Sequence, residues 1–187
     1  MPGYTAVFID GGYLDHMLRS QFGQARIDYG ALVQKMAGSS ALLRAYYYHC
    51  LPHQSNPATT EEKERIAGMQ RFTDRLRRLE KFEVRLGKLA YRGEDTSGKK
   101  IFEQKRVDIM LAVDLVLLAS KRTIDRAVLF TGDSDFLPAV SAAKNEGVIL
   151  GLWHGSGDNT PHRDLWDAAD ERTQMTPALV DAIRRAY

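Results

Sequence analysis

The sequence predicts an α/β fold built on a mainly parallel sheet of about five strands. Three observations carry that expectation. Short continuous apolar runs, Ala6-Val7-Phe8-Ile9 and Ala127-Val128-Leu129-Phe130 among them, have the length and composition of strands buried on both faces. Segments with apolar residues three and four apart lie between such runs, as amphipathic helices require. Strands that alternate with helices pair in parallel and carry helices on both faces of the sheet.

The elements follow in order. Residues 4–9 form the first strand, and Leu14, Met17 and Leu18 then show helical spacing. Asp28 is placed to cap a short second helix, with Leu32, Val33 and Met36 on one face. Residues 43–50, rich in tyrosine, read as the second strand, with Cys50 at its end; 52–60 is a polar loop punctuated by Pro52, Asn56 and Pro57. Thr60 is the expected N-cap of a long helix whose early acids, Glu61 and Glu62, suit the helix dipole. Its residues Ile66, Met69, Phe72, Leu76 and Leu79 repeat every three or four positions and face inward. Residues 82–86 alternate apolar and polar, as a strand with one wet face does, and the strand can extend to Tyr91. Residues 93–100 are a polar turn, a hairpin or flap. A strongly apolar helix spans 107–118, with Ile109, Ala112, Val113, Val116 and Leu117 expected to be buried. Then come a strand over 127–131, a helix over 136–145, a strand over 148–153, a loop over 155–161 and terminal helices over 165–169 and 177–186. The expected organisation is one domain over 1–187, with 160–187 as a C-terminal helical extension.

A single cysteine, Cys50, excludes an intramolecular disulfide and any paired-cysteine metal site. No basic segment followed by an apolar stretch opens the chain, and no apolar run approaches the ~20 residues that cross a bilayer. The expected setting is cytoplasmic, with no membrane partner. The formal net charge is only +2. Its distribution is uneven: from Arg71 to Arg106 there are 12 Lys/Arg against 6 Asp/Glu, a segment charge of +6 that leaves −4 for the rest. Such a segment suits a polyanion, and equally suits a solvated helix face.

The chemistry concentrates where apolar strands stop. Phe8-Ile9 runs into Asp10-Gly11-Gly12, and Leu129-Phe130 runs into Thr131-Gly132-Asp133-Ser134-Asp135. In an open parallel sheet, ligands bind at the C-terminal strand edge where strand order reverses. If these two strands are neighbours there, Asp10 and Asp133 leave strands ~4.8 Å apart. Crowded carboxylates either bind a divalent cation or repel one another. Asp108, at the start of the apolar helix, is a third candidate. Asp114 lies on another face of that helix and reads as an internal hydrogen-bond partner. The alternatives are structural: Asp133 or Ser134 as a helix cap, Asp108 as a dipole partner, Gly11 and Gly12 as a tight turn, and Lys105 and Arg106 as solvated charges. His154, Asp158, His162 and Asp164 form a second polar group, but their spacing matches no zinc pattern.

Taken together, Phe8-Ile9-Asp10-Gly11-Gly12, Lys105-Arg106-Val107-Asp108 and Thr131-Gly132-Asp133-Ser134-Asp135-Phe136 resemble the NYN family, LabA-like members included, within the PIN-like nuclease superfamily. The resemblance covers roughly 4–153 and extends to Leu165-Trp166-Asp167-Ala168-Ala169-Asp170. It implies a three-layer α/β/α fold and a Mg²⁺- or Mn²⁺-dependent nuclease, usually acting on RNA, with single-stranded DNA as a further substrate. It implies Asp10, Asp108, Asp133 and Asp135 as catalytic residues. Asp10 and Asp133 would ligate the metal directly, Asp108 directly or through water, and Asp135 would position or deprotonate the attacking water. Lys105 would contact a phosphate oxygen, with Gly11, Gly12, Tyr13, Arg106 and Ser134 beside the substrate. Many members carry Asn where this chain has Tyr13. That departure motivates the alternative, a catalytically weak RNA-binding or regulatory module. A homodimer could use the Tyr46-Tyr47-Tyr48 run. A haloacid-dehalogenase-type phosphotransferase would need a second Asp at Gly12, and a dinucleotide-binding turn would need G-x-G-x-x-G; neither is present.

Overall fold

A computed structural model describes residues 3–94, 96–98 and 100–185, with the backbone alone at 90, 94 and 100–105. Its element order is β1 (Tyr4–Asp10), α1 (Gly11–Gln21), α2 (Tyr29–Ala37), β2 (Ala41–Leu51), α3 (Thr60–Arg77), β3 (Phe82–Glu94), β4 (Lys100–Lys105), α4 (Val107–Ser120), β5 (Arg126–Phe130), α5 (Leu137–Asn145), β6 (Ile149–His154), α6 (Arg163–Ala168), β7 (Glu171–Gln174) and α7 (Pro177–Ala182). One sheet holds all seven strands in the order β4-β3-β2-β1-β5-β6-β7. Every neighbouring pair is parallel except β3 and β4.

Strand alternation builds the core. Ala6 and Phe8 of β1 point to one face, where they meet Leu111 and Leu115 of α4 and Val140 of α5. Val7 and Ile9 point to the other, where Leu14 and Met17 of α1 and Leu32 of α2 cover them. Helices therefore lie on both sides, giving the expected α/β/α layering. β1 is central, and its four residues from Ala6 to Ile9 are wholly buried.

The strand count exceeds the expected five for two reasons. The polar stretch after Tyr91 is a hairpin: β3 runs on to Glu94 and β4 returns antiparallel to it. Residues 95 and 99 of that turn lie outside the described residues. The C-terminal stretch, expected to be helical, inserts β7 as a polar edge strand pairing with β6, from Gly151↔Glu171 to His154↔Gln174. Its sequence, Glu-Arg-Thr-Gln, carries no apolar alternation, so only pairing with β6 identifies it. The last helix closes at Ala182, and Ala186 lies outside the described residues.

Three local expectations are corrected. The N-cap of α3 is Thr59, in a capping box with Glu62, one residue before the expected Thr60. Tyr47 and Tyr48 are wholly buried and Tyr46 nearly so; the tyrosine run is core, not a dimer face. In α4 the buried stripe is Val107, Leu111, Leu115 and Ala119, whereas Ile109, Val113 and Leu117 are 69, 48 and 46% exposed. A helix apolar on every side does not announce which stripe faces the sheet. Asp114 behaves as expected: it accepts from the Tyr48 hydroxyl at 2.8 Å and from Arg85 Nε at 3.3 Å. Among the described residues no helix is long and apolar enough to cross a membrane.

The two stripes of α4 give a direct test. Leu111→Ala is expected to cost about 2–5 kcal/mol, the range for emptying a packed core position. Ile109→Ala should stay within about 0.5 kcal/mol of wild type. Urea unfolding midpoints measure both, and equal effects would contradict the assigned face.

Candidate active site at the carboxyl edge of β1 and β5

Strand order reverses between β1 and β5. From β1 the chain steps outward through β2 and β3; from β5 it steps the other way through β6 and β7. The two strands pair in parallel up to Ile9↔Phe130. Asp10 and the Thr131–Asp135 turn therefore leave the sheet side by side at the point where such folds bind ligands.

Each acid is held by its local backbone. Asp10 is the N-cap of α1, and its Oδ1 accepts from Tyr13 N–H at 3.1 Å. Its Oδ2 faces the Thr131 hydroxyl at 3.4 Å. That hydroxyl also accepts from Asp133 N–H at 3.3 Å, so Thr131 links the two turns. Asp133 caps a 3-10 turn, with Oδ1 accepting from Asp135 N–H at 2.9 Å. The structural roles of these acids are thus real: both oxygens of Asp10 have a protein donor, whereas Asp133 uses Oδ1 alone. Asp108 sits in the first turn of α4, behind Arg106, which adopts a left-handed φ of 79° and makes no side-chain cap.

Electrostatics join the four acids. Burial lifts the Asp10 carboxyl above its usual range; the Tyr13 amide draws it back, Asp108 pushes it up, and the Gly12 amide and His49 draw it back again. Burial also raises Asp108, with Asp133 and then Asp135 adding repulsion. Among the described residues no Lys or Arg forms an ion pair with any of the four. The Lys105 side chain lies outside the described residues, and only its backbone place at the end of β4 is given. Arg106 is exposed, and Ser134 is half-buried in the 3-10 turn.

The donor set is all oxygen, which is what Mg²⁺ and Mn²⁺ prefer. Among the described residues no group of three His, Cys, Asp or Glu side chains is arranged to hold an ion as it stands. Mg²⁺ keeps most of its waters and is held by one or two carboxylates plus substrate phosphates. The carboxylates of Asp10, Asp108 and Asp133 fit that manner of binding by their chemistry, as hard oxygen donors. The His154 group does not assemble a site: the buried His154 ring meets Trp166 edge-on and its Nδ1 lies 2.6 Å from the Gly155 carbonyl oxygen, while Asp158, His162 and Asp164 are exposed.

Two features escaped the sequence reading. The first is what Tyr13 does. Its ring lies over Gly132, where an added Cβ would meet the Tyr13 ring at 2.7 Å. Its hydroxyl donates to the Asn159 carbonyl and accepts from Gly155 N–H at 3.0 Å. Tyr13 therefore ties the turn after β1 to the turn after β5 and the loop after β6. The buried Asn159 side chain completes that tie through His16 at 2.7 Å and Ser20 at 2.9 Å. The second is His49 on β2, whose Nε2 lies 3.1 Å from Asp15 Oδ2. It packs against Gly11, where a Cβ would lie 2.7 Å from His49 Cδ2. Burial disfavours its imidazolium, but Asp15, the Cys50 carbonyl and Asp10 outweigh that and raise its pKa. Residues 34 apart give no sequence signal of such a pair.

The NYN domain model matches residues 4–176, from the start of β1 to just past β7. The chain belongs to the NYN domain family. That family groups with the PIN-like nucleases. The "Uncharacterized protein y4oD" of Sinorhizobium fredii (strain NBRC 101917 / NGR234) is 33% identical over 89 residues, which are 46% of this chain and 42% of that protein. A crystal structure of a protein of unknown function, VPA0982 of Vibrio parahaemolyticus RIMD 2210633, superposes with a TM-score of 0.65 at 19% identity, covering 94% of each chain. That likeness supports the α/β fold alone.

The raised Asp10 pKa fixes a pH signature. Between the ordinary value of 3.8 and the raised value, the folded protein holds the proton more tightly than the unfolded chain. Stability therefore falls as pH rises through that window. Asp10→Asn keeps a side chain that caps well and removes the charge. Without divalent cations, this variant should melt higher than wild type at neutral pH, with the advantage gone below pH 3.8. Thermal unfolding against pH checks this; an advantage that persists in acid would contradict it.

Proposed function

We propose that this NYN domain is a Mg²⁺- or Mn²⁺-dependent endoribonuclease. The observation that carries the reading is the set of four carboxylates at the strand-reversal edge, in which Asp108 faces repulsion with Asp10, Asp133 and Asp135 and no Lys or Arg is paired with any of them among the described residues. Asp10 and Asp133 would hold the cation directly, and Asp108 directly or through a water. A bound divalent cation polarises the scissile phosphate and acidifies an attacking water. Asp135, two residues beyond Asp133 and exposed, would orient that water and take its proton. The Gly12 amide, already directed at Asp10, keeps that carboxylate oriented as substrate arrives. Thr131 would hold the Asp10 and Asp133 turns in register through its hydroxyl.

A second reading, a weakly active RNA-binding module, draws on Tyr13. Its hydroxyl is committed to Asn159 and Gly155, so it does not replace an Asn amide that would orient water or substrate.

The test is cleavage of end-labelled single-stranded RNA with Mg²⁺ or Mn²⁺. Cleavage should cease in EDTA and fall at least ~100-fold in Asp133→Asn, the scale for removing a group that stabilises transition-state charge. RNA binding by that variant should persist. Salt-sensitive RNA binding without any cleavage would replace the nuclease reading with the binding-module one. Cleavage undiminished in Asp133→Asn would place catalysis elsewhere.

A further inference from the structure

A groove of about 810 Å³ lies away from the carboxylates, between α1, the entry to α2, and α3. Its rim carries five arginines: Arg19, Arg26, Arg71, Arg75 and Arg185. All five are exposed. None of their side chains makes a hydrogen bond or ion pair among the described residues, whereas the neighbouring Arg77 is paired with Asp74. Two acids also line the groove, and both are engaged: Asp28 caps α2 through Ala31 N–H, and Asp15 holds His49. Five arginines against two acids leave the described lining of the groove with a net positive charge. The floor is apolar, with Ile27, Phe72 and Leu76 among its residues.

The groove leads toward the carboxylates. A smaller hollow of about 370 Å³ shares Asp15, Tyr29, Gly68 and Phe72 with it and reaches Pro52, just past the end of β2. Asp15 is bonded to His49, which packs against Gly11 beside Asp10. Along α3, Arg65, Gly68, Phe72 and Arg75 recur every three or four residues and line this continuous face. Arg65 and Arg75 are ten positions apart on the helix, about 15 Å at 1.5 Å per residue. Gly68 keeps the wall low: an added Cβ would find nothing nearer than Arg71 Nη2 at 4.0 Å.

An apolar floor beneath a rim of free guanidinium groups suits one kind of ligand. Guanidinium binds phosphate oxygens through paired donors and stacks on planar rings. Unpaired bases offer flat apolar faces to a floor containing Phe72, while the phosphates run along the rim. In a duplex those faces are already stacked inside, and an acidic peptide supplies the charge without regularly spaced planar faces. We propose that this groove binds the stretch of single-stranded RNA flanking the scissile bond, a proposal that rests on the RNA substrate named above.

The test measures binding without cleavage: fluorescence anisotropy of a 5′-labelled oligouridylate of about 20 nucleotides, in EDTA. Arg71→Ala/Arg75→Ala should bind at least ~10-fold more weakly. Its slope of log affinity against log salt should shrink by about 1.4, two single-strand contacts at ~0.7 each. Arg71→Lys/Arg75→Lys should recover much of the affinity, and a duplex of the same length should compete poorly. Both positions are exposed and unpaired, so circular dichroism should match wild type. A trinucleotide too short to reach the groove should be cut equally by wild type and the alanine variant. Unchanged affinity and slope in the alanine variant would overturn the groove even if the protein cleaves RNA. An acidic peptide that binds at these arginines and displaces the RNA at equal charge would overturn it as well. Arginine-dependent RNA binding in a protein that never cleaves would uphold the groove while removing the nuclease reading.

Discussion

Like-charge repulsion at one edge of the sheet is the constraint around which the rest of the molecule is arranged. Asp10 follows the wholly buried run Ala6–Ile9 of the central strand, so its position is set by the core. β5 pairs with β1 in fixed register and delivers Asp133 beside it. Asp108 arrives from α4, whose apolar stripe is packed against the same sheet. None of the three can retreat without moving a core element. Burial and mutual repulsion push both Asp10 and Asp108 toward the protonated form. Folding brings these charges together without pairing them to a described Lys or Arg, and the proposed divalent cation would relieve that repulsion.

The surrounding polar contacts keep that edge from relaxing. Tyr13 joins three turns, from β1, β5 and β6, through one ring and one hydroxyl. Thr131 bridges the two acid-bearing turns. On the opposite flank, His49 and Asp15 fix the approach from β2, with Gly11 small enough to let His49 close in. Tyr13 therefore acts as scaffold: its ring also packs on Phe130, with centroids 5.9 Å apart.

Much of this was legible in the sequence because it depends on short-range chemistry. Apolar runs that stop at Gly and Asp reported both the buried strands and the acids at their ends, and Asp28 reported its cap. What escaped depends on tertiary contacts. The exposed Ile109–Val113–Leu117 stripe of α4 is as apolar as the buried one, so only packing separates them. β7 is a strand because β6 offers it a ladder, not because of its own residues. The Asp15–His49 pair, the Tyr13 tie and the arginine groove each join residues far apart in the chain. Of the basic segment, Arg71 and Arg75 face the groove while Arg77 pairs locally, a division that composition does not contain.

The central claim is that the carboxylate edge of β1 and β5 holds a divalent cation. Crystals soaked in Mn²⁺ and measured at its anomalous edge test it most directly. The account predicts an anomalous peak bonded to carboxylate oxygens of Asp10 and Asp133, with Asp108 joined directly or through a water, and its disappearance in Asp133→Asn. A well-ordered edge with no peak at saturating Mn²⁺, or a peak bound only elsewhere on the molecule, would contradict it.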